Sequence, residues 1–123
     1  MKSVRSLRSA FAIAATVVAL TALAGCSSSG SAFTGNWGQV ATGQPSLTIK
    51  ADGTWSGMDG CNKMSGKGSV YTDTFTFGPF ASTLKACEGV TPWLNLAHTA
   101  KVDGSTLTVY RTDGEKIGTL AKR

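Results

Sequence analysis

From Trp37 onward, apolar and polar residues alternate at a period of two, in short runs broken by glycine, proline and Asx residues. That is the spacing of half-buried strands, whose successive side chains face opposite ways. Residues 36–40 predict a first strand anchored by Trp37 and broken by Thr42-Gly43-Gln44-Pro45. Residues 46–50 alternate, with Leu47 and Ile49 on one face. Asp52-Gly53 is a tight hairpin signal, because such turns need residues that tolerate positive φ, and residues 54–58 return as the partner strand. Residues 66–71 and 74–77 predict the next hairpin about Thr72-Asp73, with Phe75 and Phe77 on one face and Gly78-Pro79 as its stop.

The pattern changes after Cys87. Thr91 and Pro92 suit a helix cap and first turn, and Trp93, Leu94 and Ala97 follow at helical spacing. This predicts one helix of about two turns. Strand character resumes at residue 101, with Leu107 and Val109 inward, a turn at Asp113-Gly114 and a last strand over 115–121. Strands, one helix, then strands predict an α+β domain that is mostly β. The expected architecture is a curved antiparallel sheet or cracked β-barrel with one short helix.

The first residues do not fit that pattern. Lys2, Arg5 and Arg8 precede an uncharged apolar run over 11–20, and Leu23-Ala24-Gly25-Cys26 follows. The order resembles the signal and lipobox of a bacterial lipoprotein. It implies cleavage before Cys26 and a diacylglyceryl thioether on its sulfur. The expected layout is a signal peptide over 1–25, a Ser/Gly-rich lipidated tether over 26–33 and one folded domain over 34–123, starting near Phe33 or Trp37. The expected location is extracytoplasmic, on the bacterial cell envelope, with the membrane as partner through the lipid on Cys26.

Charge then narrows the function. The formal charge is +5, but three of the twelve cations lie in the leader, leaving nine against seven acidic residues. That small surplus, with no Lys/Arg run, excludes a nucleic-acid footprint. With Cys26 lipidated, Cys61 and Cys87 remain. Outside the cytoplasm they suit a disulfide; a zinc site and two free buried thiols are the alternatives, the first short of ligands with only His98 to add. His98 is the sole histidine, so a thiol- or His-dependent hydrolase would have to use it. Residues 60–68 miss the spacing of a phosphate loop. Asp52, Asp103 and Asp113 belong to turns. No catalytic residue, metal or cofactor is assigned, and the chain is expected not to be an enzyme.

Gly60-Cys61-Asn62, Ser65-Gly66, Phe77-Gly78-Pro79, Ala81-Ser82-Thr83 and Ala86-Cys87 stand in an order that resembles the META domain family, with its HslJ-like envelope proteins of bacteria. The resemblance spans residues 34–122. It implies a compact α+β domain, an envelope location and, for some members, links to heat stress or antibiotic tolerance; it implies no enzymatic activity. The interval between Cys87 and Val102 is shorter than the family pattern, and Lys85 replaces a bulkier apolar residue.

The expected function is therefore a lipid-anchored envelope protein that acts by binding, with an envelope protein as partner. The alternative is a carrier of a small apolar ligand between Trp and Phe side chains. The expected contact surface is the irregular backbone of residues 57–65 and 80–88, presenting Asp59, Asn62, Lys63, Met64, Phe80, Lys85 and Glu88.

Overall fold

The computed structural model describes residues 32–123. The leader, the lipid site expected at Cys26 and the tether up to residue 31 lie outside the described residues. The described strands are β1 (Gly35–Gly38), β2 (Pro45–Ile49), β3 (Thr54–Asp59), β4 (Lys63–Lys67), β5 (Ser69–Tyr71), β6 (Thr74–Thr76), β7 (Phe80–Ser82), β8 (Thr99–Asp103), β9 (Thr106–Tyr110) and β10 (Lys116–Ala121). They form two five-stranded antiparallel sheets, ordered β1-β2-β3-β4-β7 and β10-β9-β8-β6-β5.

One bent hairpin joins the two sheets. Its first arm is β4 and β5, separated by Gly68; its second is β6 and β7, separated by Phe77-Gly78-Pro79. Its halves pair as β5 with β6 in one sheet and β4 with β7 in the other. The bend needs Gly68, where a Cβ would lie 2.4 Å from both the Phe75 ring and the Thr76 carbonyl oxygen. On the opposite side the sheets meet at a single bridge, Trp37 to Lys122. The described strands thus make two sheets and not a closed barrel. Splitting the hairpin between two ladders leaves β5 and β7 each at an edge.

The inner faces are the alternating apolar positions: Leu47 and Ile49, Trp55, Phe75, Leu107 and Val109 are all buried. Aromatic rings fill the space between the sheets. Phe77 lies edge-on to both Trp55 and Phe75, each with centroids 5.1 Å apart. The indole N–H groups of Trp37 and Trp55 donate to the carbonyls of Phe33 and Phe77 at 2.9 and 3.0 Å, so neither is buried unpaired. Phe33, the last residue of the expected tether and one of the two expected starts of the folded domain, is a core residue: it is buried, and its centroid lies 5.6 Å from that of Phe75.

The two-turn helix is corrected to one 3₁₀ turn, Leu94–Leu96. Leu94 and Ala97 are buried, and the chain is already extended at Ala97, with ψ 135°. A single tight turn brings both inward, three residues apart. The next residues alternate instead of repeating an apolar stripe, so they join β8. Trp93 lies flat on Gly118, where a Cβ would approach its ring to 2.6 Å. The domain is mostly β, with no α-helix among the described residues.

Candidate functional site

The turn between β3 and β4 is built by one aspartate. Asp59 Oδ1 accepts the backbone N–H groups of Cys61 at 2.8 Å and Asn62 at 2.6 Å. The Asp59 N–H donates to the Asn62 carbonyl at 3.1 Å. Such Asx bonding closes a tight turn without a longer loop, and Gly60 supplies the positive φ of 100°. Asp59 Oδ2 is buried with no hydrogen-bond partner. A lone buried carboxylate oxygen opposes stability, so the turn is held against a local cost.

Asn62 then reaches across to the segment after β7. Its Oδ1 accepts the Lys85 N–H at 2.6 Å and the Thr83 hydroxyl at 2.8 Å, while its Nδ2–H donates to the Lys85 carbonyl at 3.1 Å. Thr83 closes the circuit: its N–H donates to the Lys63 carbonyl at 3.0 Å, and its hydroxyl oxygen accepts the Lys63 N–H at 3.1 Å. The Cys61–Cys87 disulfide bolts the same two segments, with Cα atoms 5.8 Å apart. Leu84, between two anchored neighbours, is 95% exposed.

Beside this clasp lies an open groove of about 600 Å³ on the outer face of the first sheet. Strand register sets its floor. Ser46, Met58 and Lys63 stand opposite one another on β2, β3 and β4, and Thr48, Ser56 and Ser65 form the next row. Small hydroxyl side chains keep the floor low. Val40, 75% exposed, rises at one side, and Thr83 of the clasp lines the other. A second hollow of about 500 Å³ shares Val40, Ser46 and Met58 and continues to the disulfide. Lys63 and Arg123 bring cations to the groove, and no Asp or Glu side chain lines either hollow.

The model of the family described as META domain matches residues 29–123, most of the chain. The chain belongs to the META domain family. No curated protein and no solved structure was found to match it. In this META domain, Gly60-Cys61-Asn62 and Ala86-Cys87 are the two ends of the clasp.

The expected contact residues divide in two. Lys63, Lys85 and Glu88 are exposed on the META domain. Of Asp59, Asn62 and Met64 only Met64 lines the groove, and all three are buried, at 2%, 8% and 2% exposure. The reason is that residues 63–67 are a strand and not a loop: alternation sends Met64 inward and Lys63 outward. Phe80 is half-buried, its ring edge-on to Trp55 at 5.2 Å. Leu84 and Thr83 lie within the expected segment 80–88 but not among its named residues, and Val40 lies outside both expected segments. Ala81-Ser82-Thr83 followed by a leucine carries no sign that Asn62 would hold this stretch outward. His98 is exposed, with its backbone paired to Phe77 and Tyr110.

Proposed function

We propose that this META domain is a lipid-anchored, extracytoplasmic protein of the bacterial envelope that works by binding, without catalysis, and supports the envelope under heat or antibiotic stress. The observation that carries this reading is the Cys61–Cys87 disulfide. Such bonds persist in oxidising compartments, and this one commits the thiol that a Cys-His hydrolase would need. The Leu23-Ala24-Gly25-Cys26 order of the leader supports the anchor. The clasp and its groove supply the binding surface. The carrier reading has less support, because Trp55, Phe75 and Phe77 pack against one another in the interior such a ligand would occupy.

The test is Cys26→Ser expressed in cells fed a labelled fatty acid. An unlabelled, unprocessed precursor is the expected result, together with loss of complementation of a stress-sensitive deletion strain. A variant that matures, carries label and protects as well as wild type overturns the anchored reading.

A further inference from the structure

The groove on the first sheet has a defined place relative to the chain's point of entry. Gly35, Ile49, Trp55, Gly66 and Phe80 lie in register at one end of that sheet. Gly38, Ser46, Met58 and Lys63 lie in register at the other. The chain enters at Phe33, beside the first row. Val40 and the clasped residues 83–85 stand at the second. The Val40 end of the groove therefore lies at the far end of the sheet from the point where the chain enters the domain.

The lining defines the occupant. Its charged side chains are the cations Lys63 and Arg123, with no acidic side chain to neutralise them. A second copy of this chain would set those cations against themselves. Glycans are commonly held on aromatic faces, and no aromatic residue lines the groove. What the lining offers is hydroxyl groups from Ser46, Ser56 and Ser65 for backbone hydrogen bonds, an apolar patch at Met58 and Val40, and a cation toward each end. Arg123 is tied by its N–H to the Asn36 carbonyl of β1, at 2.9 Å, while Lys63 stands on β4. The bridge of Lys122 to Trp37 puts Arg123 one step outside β1, so four inter-strand steps separate it from β4, about 19 Å, which an extended chain covers in about six residues.

We propose that this groove takes an extended acidic segment of a partner protein, with carboxylates about six residues apart against Lys63 and Arg123 and an apolar side chain between them on Met58 and Val40. This rests on the reading of the chain as an anchored binding protein. The fixed backbone of residues 83–85 is a preformed wall, which lowers the ordering cost of binding. Leu84, fully outside the groove, extends the contact beyond its rim.

The test uses the full chain as cells produce it and a short fluorescent peptide with two glutamates six positions apart and leucine between them. The control is the same peptide with glutamines. The glutamate peptide is expected to bind more tightly and to weaken with added salt. Lys63→Glu with Arg123→Glu should lower its affinity at least about tenfold, since facing like charges oppose docking. Lys101→Glu with Lys116→Glu, on the second sheet, should leave it within about twofold. Lys63→Gln with Arg123→Gln provides a milder pair if the reversals alter melting. Equal binding of the two peptides, no binding of either, or no response to the groove substitutions overturns the proposal, as does displacement of the peptide by glycan chains or anionic vesicles. Fatty-acid labelling at Cys26 reads the anchor separately, so failure of the groove and failure of the anchored reading are distinguishable.

Discussion

The side-chain amide of Asn62 takes hold of both backbone groups of Lys85, accepting its N–H at 2.6 Å and donating to its carbonyl at 3.1 Å. One amide thus does for the segment after β7 what a neighbouring strand does for a ladder. It is 8% exposed, and water does not readily replace it.

Asn62→Ala should therefore cost about 2–3 kcal/mol, because three side-chain hydrogen bonds are lost and the freed groups stay largely shielded from water. Asn62→Asp keeps the acceptor but sets a carboxylate oxygen against the Lys85 carbonyl in a buried place, so it should also fall below wild type. Urea titration of the two variants measures both. Wild-type stability in Asn62→Ala would mean the clasp contributes nothing.

Cys61→Ala with Cys87→Ala removes a cross-link between residues 26 apart in sequence. The loss should be about 3–4 kcal/mol on the chain-entropy account. Wild type treated with reductant should approach the double variant in a denaturant titration. Titration of the unreduced, denatured protein should find neither thiol free.

Gly68→Ala should lower stability by about 1–3 kcal/mol, through overpacking against rigid neighbours. The added methyl meets the Phe75 ring and the Thr76 carbonyl at 2.4 Å, and neither can move without shifting β6. Ser69→Ala, one residue on and exposed, should be close to neutral. Equal urea midpoints for the two variants would contradict the close packing at the bend.

Asp52 and Asp113 both titrate below the ordinary value of 3.8. For Asp52 the largest cause is the hydrogen bond from the Thr54 hydroxyl, followed by the Thr54 N–H. For Asp113 it is the Glu115 N–H, followed by the Arg111 guanidinium. A depressed carboxyl in the folded state adds stability that is complete above its unfolded value and is lost as pH falls through the folded one. Asp52→Asn with Asp113→Asn should therefore melt below wild type near neutrality, and the gap should shrink as pH drops below 3.8. A gap that is constant or widens on acidification would contradict this.

Much of the fold is legible in local pattern. Alternation finds β2, β3, β5, β6, β9 and β10 because one face of each is buried or, in β5, half-buried and the other is more open to water. Gly53, Gly104 and Gly114, each following an aspartate, take positive φ at turns, where the sequence places them. Strands β4 and β7 are harder to see. Residues 63–67 contain one buried apolar side chain, Met64, and β7 is only three residues long. Their strand state comes from pairing with each other and with β3, and a local window holds no trace of a distant partner.

The candidate site divides along the same line. The sequence alone determined the mostly β class, the apolar face of each strongly alternating strand, the Asp-Gly turns and the motif blocks of the META domain, because each depends on neighbours a few residues away. Tertiary structure decided which of those residues are exposed and what the motif does. Asn62 meets Lys85 across 23 residues, Cys61 meets Cys87 across 26, and Val40 and Thr83 come to flank one groove from different edges of a sheet. Those relationships depend on the bending of one hairpin between two sheets. That bend is set by packing against Phe75 and Thr76, through contacts that local periodicity does not encode.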